Sequence, residues 1–167
     1  RGLGDVYKRQ EVDLEYLIMK QEATTTSVGG VTVEVPDYLG LVVAEFSHLA
    51  RASSHVNQRS GVSVRLSVAN YESLAANALR RGLRAGENPV VARVDDLDAL
   101  AASSIGKIEI ESMDDGREGQ IFDNLIKGAV HQVFTNRHDG TLTAAIVEAF
   151  EAVSYTHLTL PTKEEVW

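Results

Sequence analysis

The stretch HVNQRSGVSVR, residues 55–65, closes a polar loop and leads into the longest helical pattern in the chain, which runs to about Arg84. Val64, Val68, Tyr71, Ala75, Ala78 and Gly82 recur there at three- and four-residue steps, thickened by Leu74 and Leu79, which predicts one buried face. Arg65, Glu72, Arg80 and Arg84 fall largely outside that stripe. Its small residues, Ala75, Ala78 and Gly82, predict close approach by another helix. Gly86 fits a C-terminal stop, and Glu87-Asn88-Pro89 fits the turn after it. Arg59 sits near the helix start. Unpaired backbone N–H groups and a partial positive charge at such a start favour anions. The forked donors of an arginine match phosphate oxygens. The same position also suits a solvated residue of the cap region, and position alone leaves both readings open.

Working outward toward the amino end, residues 37–51 read as an amphipathic helix. Asp37 is offered as its N-cap, Leu39, Val42, Val43, Phe46 and Ala50 form its apolar stripe, and Glu45, His48 and Arg51 lie away from it. Residues 31–35, VTVEV, alternate apolar and polar ahead of Pro36 and predict a short strand or extended segment. Residues 23–30 are a loop of small residues ending in Gly29-Gly30, and residues 11–22 have helical composition with Leu14, Leu17 and Ile18 on one face. Toward the carboxyl end, residues 90–94 form an extended connector. Asp95 or Asp96 can cap a short helix carrying Leu97, Leu100 and Ala101 that ends near Gly106. Residues 107–111, KIEIE, alternate again, and residues 112–119 are an acidic loop. A long helix follows with Phe122, Leu125, Ile126, Ala129, Val130 and Val133 on one side. Asp139-Gly140 breaks it, and Leu142, Ile146, Ala149 and Phe150 predict a last helix. The expected class is mainly α, a multi-helix bundle with one or two short extended segments.

A chain of 167 residues with 44% hydrophobic content suits one ordinary domain with a modest core. No apolar run approaches the roughly 20 residues needed to span a bilayer, so no membrane role is expected. The absence of cysteine excludes disulfides and thiolate metal sites and fits a reducing cytoplasm. The formal net charge is −8, which argues against general nucleic-acid binding. Its distribution says more. Residues 51–93 hold seven arginines against Glu72 and Glu87, a net +5, which leaves −13 for the remainder. A basic segment in an acidic chain suggests a local anion site or a contact with an acidic neighbour. Both ends, RGLGDVYKRQ (residues 1–10) and SYTHLTLPTKEEVW (residues 154–167), resemble peptides produced when sequencing-adapter sequence is translated at contig ends. They are set aside as artefactual flanks, and the natural protein is expected to continue past both.

Motifs for self-sufficient chemistry are missing. No GxxxxGKS or GxxxxGKT, GxSxG or GxGxxG occurs. His48, His55, His131, His138 and His157 lack the spacing of metal ligands, so no metal site is expected. Ser60 and Ser63 near His55 make no nucleophile constellation, and the acidic pairs Asp95-Asp96 and Asp114-Asp115 read as a helix cap and a solvated loop.

Two segments carry a family resemblance. NQRSGVSVRLSVANYESLAANALRRGL (residues 57–83), followed by ARVDDLDALAASSIGKIEIE (residues 92–111), resembles the carboxy-terminal region of bacterial AAA+ ATPases. The nearest group is that of magnesium chelatase subunit I and the MoxR-like proteins, including members labelled sigma-54-interacting regulators. The likeness spans roughly residues 31–133. It implies a helical lid packed beside a nucleotide-binding core, with residues 11–36 as the connector from that core. Residues 37–111 would be the lid and residues 112–153 a C-terminal helical extension. It further implies that Arg59 is the sensor-2 arginine, which reaches the γ-phosphate of ATP, stabilises the transferred phosphoryl group and releases the lid after hydrolysis. Arg59 is thus the expected catalytic and cofactor-contacting residue, with ATP and Mg²⁺ held mainly by the core upstream. Arg65, about two turns later, is expected at a subunit interface or in solvent, and Arg80, Arg81 and Arg84 are given no nucleotide role. Walker A, Walker B and sensor-1 residues are not in this sequence, and no arginine finger can be mapped, so hydrolysis belongs to the parent protein. The resemblance implies a homo-oligomeric ring, typically a hexamer, and a possible partner with a von Willebrand factor A-type domain.

Two other readings stand beside the lid. One is a helical protein-interaction module with no nucleotide. The other is a DNA-binding regulator, which needs its arginines on one exposed face beside base-reading Asn or Gln, whereas the sequence scatters them.

Overall fold

Helix α3 (Val64–Ala85) packs against most of the other elements within residues 1–133. Its 22 residues are bounded by an extended Ser63 and by Gly86, whose φ of 71° is the left-handed turn that glycine adopts without strain. Glu87 N–H then donates back to the Gly82 carbonyl at 2.9 Å, which satisfies one of the end carbonyls. Leu66, Ser67, Asn70, Tyr71, Leu74, Ala75, Ala78, Leu79 and Gly82 are buried, so the predicted stripe packs but also takes in polar Ser67 and Asn70. Val64, the first member expected, is exposed instead.

In this computed structural model, residues 3–24 (3–10 as backbone alone), 27–57, 62–110 and 118–137 are described, together with Ala144 and Glu148. The chain divides into two compact units, Arg1–Val133 and Phe134–Trp167. In the first unit the order is α1 (Leu3–Glu22), β1 (Val33–Glu34), α2 (Asp37–Ala52), α3, β2 (Val90–Val91), a 3-10 segment (Val94–Asp98), α4 (Ala99–Ser104) and α5 (Glu118–Arg137). The last four residues of α5 belong to the second unit, whose other described residues, Ala144 and Glu148, are helical. The protein is mainly helical with two short extended pieces, as its periodicities predict. The acidic pair Asp114-Asp115 and the last predicted helix stripe, Leu142, Ile146, Ala149 and Phe150, lie outside the described residues.

The strands pair in parallel, Val33 opposite Val90 and Glu34 opposite Val91. Two bonds of 2.9 Å fix that register, from Val90 N–H to the Thr32 carbonyl and from Ala92 N–H to the Glu34 carbonyl. A parallel pair needs a long crossover, and here α2 and α3 supply it. Residues 90–94, expected as a plain connector, therefore include a sheet strand. Gly82 faces that strand rather than another helix: a Cβ on it would lie 2.2 Å from Val90 Cγ2. The close approach predicted by the small stripe is thus made at this position by β2.

Helices α2 and α5 follow their predicted faces. Leu39, Val42, Val43, Phe46 and Ala50 are all buried, and Phe46 stacks on Phe122 with ring centroids 6.4 Å apart. Phe122, Ala129 and Val133 are buried, with Leu125, Ile126 and Val130 packed around them. Pro36 rather than Asp37 takes the N-cap position of α2, and Asp37 is its first residue. Glu45, expected away from the stripe, is buried.

Helix α1 departs from its prediction. Leu14, Leu17 and Ile18 are 59%, 61% and 37% exposed, while Val12, Glu15 and Met19 are buried and Tyr16 packs beside them. Two features of α2 turn the helix this way. Gly40 leaves room for the Tyr16 ring, since a Cβ there would lie 2.3 Å from Cε2, and Arg51 supplies a charge partner for Glu15.

Candidate functional site

Arg59, the residue singled out by position and by resemblance, lies outside the described residues, as does the rest of span 58–61. The structure does describe both ends of that span. Before it, Val56 forms an antiparallel bridge with Ile110, and Asn57 N–H donates to the Glu109 carbonyl at 2.8 Å. The Asn57 side-chain amide also donates to Glu109 Oε2 at 3.2 Å. Glu109 and Ile110, in the alternating KIEIE segment, thus pair with the chain just ahead of that span. After the span, Arg51 Nε donates to the Val62 carbonyl at 2.8 Å, and α3 begins two residues later.

Arg51 is itself held. NH1 and NH2 donate to the two oxygens of Glu15, each at 2.6 Å, a bidentate match of fork to carboxylate. Glu15 is only 6% exposed, and its Oε1 also accepts from the Ser67 hydroxyl. Ser47 Oγ lies 2.8 Å from Ser67 Oγ and 3.3 Å from the Val43 carbonyl, and both serines are fully buried. The hydrogen bonds it donates to Glu15 raise the affinity of Arg51 for its proton, with burial working against them. This network joins α1, α2 and α3. Sequence periodicity could not reveal it, because Glu15 and Arg51 lie on different helices.

Arg65 sits in the first turn of α3 and is exposed. It makes no ion pair among the described residues. Arg59 lies five residues ahead of the α3 start.

A second polar region lies at the other end of α3. Asn77, Arg80, Arg81, Arg84, Ala85, Asp95 and Asp96 line a groove of about 440 Å³. The arginines expected to be scattered are thus gathered around one opening, with two carboxylates among them. Asp96, 2% exposed, accepts from Arg81 Nε at 3.2 Å, from Arg81 NH2 at 3.0 Å and from the Arg93 backbone N–H at 2.9 Å. Asp96 therefore caps the 3-10 segment from within its first turn, while Arg93 occupies the N-cap position. Arg81 also donates to Glu87 and to the Val91 carbonyl, and its hold on a proton is raised chiefly by Asp96. A third contact, fully buried, joins Asn70 on α3 to Ser104 on α4 at 3.2 Å.

Among the described residues, no group of three His, Asp or Glu side chains comes together as a metal site, and no helix is long and apolar enough to cross a membrane. The chain matches no family model, no curated protein and no solved structure.

Proposed function

We propose that this chain is the C-terminal lid portion of an ATP-dependent AAA+ ATPase of the magnesium chelatase subunit I and MoxR-like group, with Arg59 as the γ-phosphate contact. The supporting observation is that both flanks of residues 58–61 are held, Asn57 by Glu109 and Val62 by Arg51, and that the VDDL segment folds against the helix that follows. A residue that must reach a ligand on another domain needs such fixed flanks, because an arginine misplaced by 1 Å loses much of its effect. The parent protein would use ATP and Mg²⁺ in the cytoplasm, assemble as a hexameric ring and remodel a partner such as one with a von Willebrand factor A-type domain.

The test is ATP turnover by the full parent protein carrying Arg59→Ala, beside Arg65→Ala. Loss of a charged phosphate contact lowers turnover on the order of tenfold or more. Unchanged turnover and nucleotide affinity in the Arg59 variant reject the assignment. A tenfold loss in the Arg65 variant alone moves the role to the first turn of α3.

A second reading, a protein-interaction module without nucleotide, draws support from the exposed Leu14, Leu17 and Ile18. An in-frame upstream reading that shows a Walker A motif decides for the ATPase; a different domain there decides for the module. The DNA-binding reading is the weakest. Asn77 does share a groove with three arginines, but Arg81 is already paired with Asp96 there, and the exposed Asp95 would repel the phosphates of DNA.

A further inference from the structure

The groove at the C-terminal end of α3 contains two guanidinium groups whose charge the fold does not use. Arg81 has a full set of acceptors in Asp96, Glu87 and the Val91 carbonyl. Arg80 and Arg84 differ. Both are exposed, and neither meets a carboxylate at ion-pair distance among the described residues. Arg80 NH2 instead donates to Asn77 Oδ1 at 2.5 Å, and the Asn77 amide group turns toward Asp96 at 3.4 Å. Asn77 thereby orients Arg80 without neutralising it. Arg80 and Arg84 stand four residues apart, one helical turn, so both reach the same opening.

We propose that this groove binds a phosphate group, free or carried by a small molecule, between Arg80 and Arg84. The volume of about 440 Å³ is that of a small-molecule site rather than of an extended polymer track. Arg81 and Asp96 both line the groove and pair at 3.0 Å, so their charges offset each other within the lining. That leaves two positive charges against the single exposed carboxylate of Asp95. Two planar forks suit the oxygens of one phosphate. Two features oppose binding: Asp95 repels an anion, and the C-terminal end of α3 carries a partial negative charge. The expected affinity is therefore modest and falls steeply with salt. This inference is independent of the lid reading, because it concerns the opposite end of α3 and is tested on the chain itself.

The experiment is a two-dimensional amide NMR titration of the full chain with inorganic phosphate, ribose 5-phosphate and ribose, each at matched ionic strength. Phosphate and ribose 5-phosphate shift the resonances of Asn77, Arg80, Arg84 and Asp95, and ribose alone leaves them in place. Tighter binding of ribose 5-phosphate than of phosphate assigns a carried phosphate; equal or weaker binding assigns the free ion. Arg80→Ala with Arg84→Ala weakens binding by about tenfold or more, with the fold kept, because both side chains are exposed. Asp95→Asn tightens phosphate binding by roughly threefold, which a purely structural role of the arginines in closing α3 does not predict. Arg81 is left intact, since its loss would strand buried Asp96. Equal shifts with ribose and phosphate, or unchanged phosphate affinity in the double variant, overturn the proposal.

Discussion

Arg51 on α2 and Glu15 on α1 meet as a two-pronged pair, NH1 to Oε2 and NH2 to Oε1, each at 2.6 Å. The pair is asymmetric: the Glu15 side chain is 7% exposed and that of Arg51 32%. Removing the arginine therefore strands a carboxylate in the core, while removing the carboxylate leaves a guanidinium that can reach water. Arg51→Ala is expected to cost about 2–3 kcal/mol, below the ~3–5 typical of a fully buried pair because Arg51 is partly solvated. The double change Glu15→Met with Arg51→Met should cost less than Arg51→Ala alone. Urea unfolding measures both, and a single-variant cost within about 0.5 kcal/mol of zero would contradict the role given to the pair.

The rotated face of α1 gives a second expectation. Leu14→Ser and Leu17→Ser touch residues about three-fifths exposed, so each should change stability by no more than about 0.5 kcal/mol. Met19→Ala, at a fully buried position, should cost about 2–5 kcal/mol. The reverse ranking in thermal or urea denaturation would restore the face that the spacing of leucines predicts.

That helix shows where sequence reading stops. In α2 and α5 the apolar residues outnumber their competitors on one side, and 3.6-residue spacing alone identifies Leu39, Val43, Phe46, Phe122 and Ala129 as core. In α1 two leucines and an isoleucine compete with a face containing a glutamate. The glutamate wins because Arg51 and Ser67, 36 and 52 residues away, complete its bonding. No local window contains that information. The β1–β2 pairing was hidden for the same reason, as each strand is two residues long and its partner lies beyond two helices. The stop at Gly86 was legible because it depends only on local backbone conformation. As for the site, the loop between α2 and α3 was legible as a break in periodicity, but its two anchors were not. The gathering of Arg80, Arg81 and Arg84 with Asp95 and Asp96 required the fold.

Packing at Gly82 supplies a third test. A Cβ on Gly82 would lie 2.2 Å and 2.7 Å from the two methyl carbons of Val90, a fully buried side chain. Gly82→Ala should destabilise by about 1–3 kcal/mol despite the better helix propensity of alanine. Gly82→Ala combined with Val90→Ala should recover part of that loss. If Gly82→Ala alone stabilises the protein, β2 does not sit on α3 as described.

Alkaline titration offers a fourth. Tyr16 donates to Asp37 Oδ1 at 2.6 Å, and Lys20 donates to the same oxygen at 3.2 Å. Burial first, and then the bond to the Asp37 carboxylate, pushes the Tyr16 phenol above its ordinary value; Lys20 is raised chiefly by its bond to Asp37. Burial raises Tyr71 as well. All three groups hold their protons more tightly in the folded chain than in the unfolded one. Their contribution is complete below the unfolded values of about 10 for Tyr and 10.4 for Lys. It is lost as pH rises from there through the raised folded values, because the unfolded state gives up its protons first. Stability measured by urea unfolding should therefore decline above about pH 10, and Tyr16→Phe should make that decline shallower without removing it. An equally steep decline in the Tyr16 variant would exclude Tyr16 as a source.

The two anchors beside residues 58–61 have a consequence for how this protein can change. Asn57 and Val62 are fastened by Glu109 and Arg51, partners that belong to the scaffold and not to the segment between them. Those partners lie 52 and 11 residues away along the chain. A substitution at Glu109 or Arg51 would therefore loosen one flank while leaving every residue next to that flank unchanged, so a change remote in sequence can be felt at the entry to α3.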